Sequence, residues 1–218
     1  MQIQYPSAMV QQIKDRLKGH HLTGFVSGMG PEHPQIALLG EAPGRQEAET
    51  GVPFVGSSGK ELMKMIGLAG LTRDDVYITS VVRSRPYSVR SVVDKKTGQR
   101  VEKHPNRTPT KKEVLAYAQL FDWELQQIQP QILVPLGNTS LQRLLGPRAN
   151  IGELHGQPRY TVIQEALPDD CGYQMGEHQY WVYPMYHPAA YLYARRLEPT
   201  VRKDWQKFGT WLQKLNQR

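Results

Sequence analysis

Residues 35–44 read QIALLGEAPG, a short apolar run that stops at a turn rich in glycine and proline. Beyond that turn, residues 58–69 carry Leu62, Met65, Ile66 and Ala69 at helical spacing, so the order is strand, loop, helix. The rest of the chain repeats the alternation. Residues 76–82 (VYITSVV) are rich in β-branched side chains and predict a second buried strand after the turn at Arg73-Asp74-Asp75. Thr110 and Glu113 have capping-box spacing for a long helix reaching about Ile128, followed by a third strand at 131–136 and a short helix from Asn138. A fourth strand is expected at 180–185, and a basic, periodic stretch from about Glu198 to Leu215 closes the chain as a helix. Strands alternating with helices predict an α/β, single-domain, three-layer fold with a central, mostly parallel four-stranded sheet flanked by helices. In such sheets ligands bind beyond the carboxyl ends of the strands, which directs attention to the loops at Gly40, Ser80 or Val81, Gly137 and Tyr186.

Composition narrows the classes. A chain of 218 residues can bury a sizeable core as one domain, and no apolar run approaches the ~20 residues that cross a bilayer. The start, MQIQYPSAMVQQIKDRLKG, lacks an apolar secretory segment, and the single Cys171 cannot form an internal disulfide; a cytoplasmic setting is expected. Nothing near Cys171 activates it as a nucleophile. A formal charge of +7 and a pI near 9.5 favour a polyanionic partner, although charge alone does not say where it sits.

Three segments carry candidate chemistry. The turn Gly40-Glu41-Ala42-Pro43-Gly44 directs backbone N–H groups and the Glu41 carboxylate into one place. Residues 53–59 (PFVGSSG) present Phe54 on a glycine-rich loop, where it either stacks on a planar base or packs into the core. Residues 87–104 (YSVRSVVDKKTGQRVEKH) hold two valine-containing runs around a polar turn, predicting a protruding hairpin of net charge 5 − 2 = +3. That hairpin is either a solvated surface feature or a flap that contacts DNA.

The motifs GEAPG, PFVGSSG, YITSVVRSRP, NRTPT, QILVPLG and YHPAAYL, in that order over most of the chain, resemble the uracil-DNA glycosylase superfamily, specifically its bacterial and archaeal family 4. The resemblance implies that Glu41 activates or positions the attacking water, that Ala42, Phe54 and Ser80 contact the base, and that His187 meets negative charge developing on the base oxygen. It also implies DNA contacts at Gly44, Arg45, Ser57, Ser58 and Asn138. A nucleotide must leave the stack to be reached, so a wedge is needed: Tyr191, Leu192 or Tyr193. Arg195 and Arg196 either hold phosphates or fill the vacated stack, or simply begin a basic helix. The implied function is a monofunctional DNA glycosylase that removes uracil or a related base, with DNA as partner, no membrane, no metal and no cofactor, acting as a monomer.

Two departures from the family pattern bear on this expectation. Family 4 holds a four-cysteine iron–sulfur cluster, whereas here Ser84 and Tyr117 match two cysteine positions and the amino-terminal pair falls near Ile13 and Arg16. Ser80 stands where the family has a base-reading Asn, and a hydroxyl cannot donate and accept along a base edge as an amide does. The alternatives are therefore a glycosylase for another deaminated or modified base, or a non-catalytic DNA-binding member of the fold.

Overall fold

Every residue of three strands, Ile36–Gly40, Val76–Ser80 and Ile132–Pro135, is buried. Strands buried on both faces need helices on both sides. The computed structural model, which describes residues 2–95, 97–169 and 171–217, supplies them. In chain order the elements are α1 (Ser7–Arg16), β1 (Leu22–Thr23), β2 (Ile36–Gly40), α2 (Arg45–Thr50), α3 (Ser57–Leu68), β3 (Val76–Ser80), β4 (Arg85–Pro86), β5 (Arg90–Val93) and β6 (Arg100–Lys103). There follow α4 (Lys111–Ala116), α5 (Ala118–Ile128), β7 (Ile132–Pro135), α6 (Asn138–Leu145), α7 (Ile151–Leu154), β8 (Arg159–Ala166), β9 (Tyr173–Val182), α8 (Pro188–Tyr193) and α9 (Glu198–Asn216).

The central sheet has the order β3-β2-β7-β9-β8, parallel except for β8, which runs antiparallel to β9. Side chains alternate across it as a strand period of two requires. Ala37, Leu39, Tyr77 and Leu133 face Phe121 and Leu125 of α5, while Ile36, Leu38, Ile78 and Val134 face Leu62 and Ile66 of α3 and Trp205 and Phe208 of α9. The sheet thus has five strands where four were expected. β8 escapes sequence reading because its ends are polar and half-exposed, as befits the edge strand of an antiparallel pair. The same pairing extends the last parallel strand back to Tyr173.

The long helix expected from Thr110 to Ile128 is two helices. Its capping box is present, with the Glu113 N–H donating to Thr110 Oγ1 (3.2 Å) and the Thr110 N–H to Glu113 Oε2 (2.8 Å), but the path breaks at Tyr117. The Tyr117 hydroxyl donates to Ser84 Oγ (2.7 Å), and that hydroxyl to the Gly24 carbonyl (2.6 Å). The hairpin expected within 87–104 forms as β5 and β6.

Beneath β3 lies a buried ion pair, Arg83 with Glu124. Glu124 also accepts from the hydroxyls of Tyr5 (2.6 Å), Tyr77 (2.8 Å) and Thr79 (3.0 Å), and Arg83 Nε donates to Tyr5 Oη (3.2 Å). Removing one partner of a fully buried pair strands the other charge in a low dielectric, so Glu124→Ala is expected to cost about 3–5 kcal/mol in urea-melt stability. The double variant Arg83→Met, Glu124→Gln, which keeps an acceptor for the three hydroxyls, should recover part of that loss. A double variant worse than Glu124→Ala would contradict this account.

Candidate active site

The end of β3 and the loops that follow β2, β6 and β9 open on one cavity of about 580 Å³, within the range that admits a small organic ligand. Gly40 ends β2, and a Cβ there would lie 2.8 Å from the Phe54 ring, so the bare backbone is what lets that ring close over the strand end. Phe54 sits at φ 53°, a left-handed conformation that a bulky residue adopts only under constraint, at about 1–3 kcal/mol. The constraints are visible. Arg73 Nη2 donates to the Pro53 carbonyl (2.7 Å), the Gly56 N–H donates to Glu47 Oε1 (2.9 Å), and Gly59 leaves room for the Phe54 carbonyl where any Cβ would collide.

Glu41, Ala42, Gly44, Arg45, Phe54, Ser57, Ser58, Ser80 and His187, all singled out in the sequence, line this cavity. Asn138 lines an adjoining hollow of about 310 Å³ that shares Glu41, His187 and Tyr193 with the first; its Oδ1 accepts from the Ile151 N–H (2.8 Å). Tyr191 requires a correction. Pro188 and Tyr191, three residues apart, form the inner face of the short α8, and Tyr191 is only 3% exposed, so it is not available to DNA. Leu192 is exposed, and Tyr193, 92% exposed, stands on the rim of both hollows. Arg195 and Arg196 are exposed but do not line the cavity.

The Nδ1 of His187, which caps α8, accepts from the Ala189 N–H (3.1 Å). That assignment leaves the proton on Nε2, a donor. Burial pushes the His187 pKa down to about 4, so the ring is neutral at ordinary pH, and it lies 5.9 Å from the Phe54 ring between centroids. Glu41 is raised above the usual carboxylate range by burial, against the opposing pull of hydrogen bonds from Thr139 and Thr108. The Thr139 hydroxyl donates to Glu41 Oε2 at 2.5 Å. The Ser80 hydroxyl donates to the Val82 carbonyl (2.8 Å), which leaves Oγ only acceptor capacity for a ligand. Asn106 lines the cavity as well; its Oδ1 is taken by Arg85 Nε (2.6 Å), and its Nδ2 lies beside Gly44.

Sequence reading missed Asn106, Thr108, Thr79 and Thr139. The first two belong to the NRTPT motif, so the signal was present but assigned no role. The donor set does not fit a four-thiolate cluster: Ser84 and Tyr117 bond to each other, Ile13 is buried in the core, and the single cysteine, Cys171, is exposed. Among the described residues no group of three or more His, Cys, Asp or Glu side chains could hold a metal ion.

The family described as the uracil DNA glycosylase superfamily matches residues 27–215. The chain belongs to that superfamily. It is 33% identical over 187 residues to the type-4 uracil-DNA glycosylase of Archaeoglobus fulgidus, covering 86% of this chain and 81% of that one. It is likewise 33% identical to the type-4 uracil-DNA glycosylase of Sulfurisphaera tokodaii, over 85% of this chain and 73% of that one. Against a Thermotoga maritima protein of the same description it is 34% identical over 62% of each chain. Among the described residues of this superfamily member, no helix is long and apolar enough to cross a membrane.

One consequence of the geometry is independent of any reaction. Between pH 6.5 and about 4 the unfolded chain binds a proton at His187 that the folded chain refuses, so stability rises with pH through that window and is lost as pH falls. His187→Gln, which has no titrating ring, is expected to remove that share of the slope in urea melts between pH 4 and 7. In ¹⁵N-edited NMR the ring should keep its Nε2–H form until about pH 4; titration near 6.5 would contradict the assignment.

Proposed function

We propose that the protein is a DNA glycosylase: the cavity receives a flipped-out uracil or related base, and water replaces it at the sugar C1′. The reading is carried by the convergence of a carboxylate (Glu41) and a neutral imidazole Nε2–H (His187) on one cavity roofed by Phe54, and it is supported by relatives described as type-4 uracil-DNA glycosylases. The C1′–N bond breaks with its electron pair passing to the base, leaving cationic character on the sugar and negative charge on the base oxygens. A hydrogen-bond donor such as His187 is worth most where that negative charge appears only in the transition state. Being neutral, His187 donates without transferring its proton, and the base leaves as an anion that water then protonates. Glu41, fixed by Thr139 and Thr108, orients the attacking water, takes its proton and stabilises the sugar cation. Phe54 stacks on the base, Tyr193 or Leu192 wedges the vacated stack, and Arg45, Ser57, Ser58, Arg195 and Arg196 meet phosphates. The same proposal has the enzyme act as a monomer in the cytoplasm, for which the single cysteine and basic charge are the support.

The Ser80 geometry favours a second reading of base choice. With its proton committed to Val82, Ser80 offers no donor to a uracil carbonyl, so selection for uracil is weaker than an amide would give, or is directed to another base.

Oligonucleotides carrying uracil, hypoxanthine, xanthine or modified cytosines, treated with alkali after incubation, test the proposal. The wild type should leave alkali-labile sites, with single-turnover rates lowered by about 10²–10³-fold in His187→Ala and by about 10²–10⁴-fold in Glu41→Gln. The acid limb of kcat/KM should reflect Glu41, above the ordinary carboxylate value, and vanish in Glu41→Gln; a limb that survives there but vanishes in His187→Ala would reverse the two roles. Binding without cleavage of any substrate would leave only a DNA-binding protein. Ser80→Asn should raise the preference for uracil over the other bases by roughly 2–10-fold, the worth of one hydrogen bond.

A further inference from the structure

The β5–β6 hairpin grows out of the rim of the cavity. Its root is held by the Ser88 N–H donating to the Pro105 carbonyl (2.9 Å), the Arg107 N–H to the Pro86 carbonyl (3.1 Å), and Arg85 bonding the His104 carbonyl. The Tyr87 ring stacks on His21 (5.3 Å, 12°) and meets His104 (4.9 Å). Two residues past the Tyr87–Asn106 bridge, Thr108 bonds Glu41, so the root of the hairpin and the holder of the carboxylate are one continuous segment. At about 3.3 Å per residue the ribbon from Tyr87 to Asp94 is roughly 25 Å long.

Its charges are arranged against its own stability. Arg90 lies directly opposite Lys103, a like-charged cross-strand pair that is intrinsically unfavourable. Both acids are occupied at home: Asp94 Oδ1 accepts from the Thr97 N–H in the turn (3.0 Å), and Glu102 pairs with His104 (2.6 Å). Arg90, Lys95, Arg100 and Lys103 are exposed, and none of them forms an ion pair among the described residues. A hairpin serving only as a solvated surface gains nothing from opposing two cations while committing its acids elsewhere. A polyphosphate lying along it removes the repulsion.

Resting on the glycosylase reading, we infer that this hairpin is an accessory arm that grips the phosphodiester backbone flanking the flipped nucleotide. At ~3.4 Å per nucleotide along one strand, an arm of that length spans roughly seven nucleotides beyond the site. The arm adds binding and leaves the chemical step unchanged, since none of the four cations lines the cavity.

The test compares the wild type with the quadruple variant Arg90→Ser, Lys95→Ser, Arg100→Ser, Lys103→Ser, and with a control in which Arg90 and Arg100 become Lys. Single- and double-stranded uracil oligonucleotides of about 6 and about 24 nucleotides serve as probes. The quadruple variant should raise KM for the long substrate at least tenfold with kcat unchanged, and leave the short substrate unaffected. The salt dependence of binding should flatten by about 0.9 in log–log slope per lost duplex phosphate contact, or about 0.7 on single strands; the Lys control should behave as the wild type. Equal slopes and equal length dependence in wild type and quadruple variant would overturn the arm. Wild type that cleaves neither these probes nor any of the hypoxanthine, xanthine and modified-cytosine substrates, combined with a flattened binding slope in the variant, would overturn the glycosylase reading and keep the arm.

Discussion

Glu124 is a carboxylate with no exposure to water, and its position is tolerable only because the Arg83 guanidinium and three hydroxyls, from Tyr5, Tyr77 and Thr79, converge on it. Those groups come from the amino-terminal segment, from β3 and from the turn after β3, while Glu124 comes from α5. A buried charge that must be met by donors from distant segments ties them into one arrangement, because any slippage leaves a donor or the carboxylate unpaired. The consequence reaches the site. Thr79 directly precedes Ser80 and itself lines the cavity, so the end of β3 is fixed from beneath by the same carboxylate that fixes the sheet to its helix.

Ser84 and Tyr117, two of the positions at which the family resemblance implies thiolates, are tied together here through oxygen. Tyr117 to Ser84 and Ser84 to Gly24 form one chain of hydrogen bonds. Glu113, fully buried, takes both guanidinium nitrogens of Arg107 (2.7 Å each) together with His20 Nδ1 (2.9 Å), and its pKa is lowered to about 2 by these partners in spite of burial. Arg107 is also part of the cavity wall, so this polar network sets the path of residues 106–108 past Glu41. Bidentate pairing is directional, so it fixes the orientation of Arg107 as well as its position.

How much of this could be read from the sequence depended on how local the cause was. The buried parallel strands follow from apolar runs ended by glycine, and the capping box at Thr110 follows from a three-residue spacing, so both were legible. The break at Tyr117 was not, because nothing in the residues 110–128 interrupts a helix; the cause is a hydrogen bond to Ser84, 33 positions away in sequence. β8 was hidden because only Ile163 in it is buried, and its existence depends on β9 being there to pair with it. The cavity residues recognised from motifs do come together, yet Thr139 and Thr108 acquire a task only when segments 41, 108 and 139 meet. Among Tyr191, Leu192 and Tyr193 the sequence offers three equivalent candidates, and only the rotation of α8 against the core decides which one turns inward.

The proposed chemistry makes a demand on the pocket that its electrostatics meet in a particular way. A charged imidazolium would bind an anionic base strongly, but burial of the ring and the Ala189 N–H donated to its Nδ1 both favour the neutral form. The ring therefore stays neutral, and its worth lies in a fixed Nε2–H in a site of low dielectric, where one oriented dipole counts for more than it would in water. The same dryness that neutralises His187 raises Glu41, and the two threonine hydroxyls are what keep that carboxylate from being pushed further toward its protonated form. A single property, burial in the cavity wall, thus acts on the state of both groups. On the proposed reading base choice rests elsewhere, on Thr79 and Ser80, which line the cavity and whose hydroxyl protons are already committed to Glu124 and Val82. On this reading reaction and selectivity are separable in this protein, because the groups that would break the bond and the groups that would read the base answer to different buried partners.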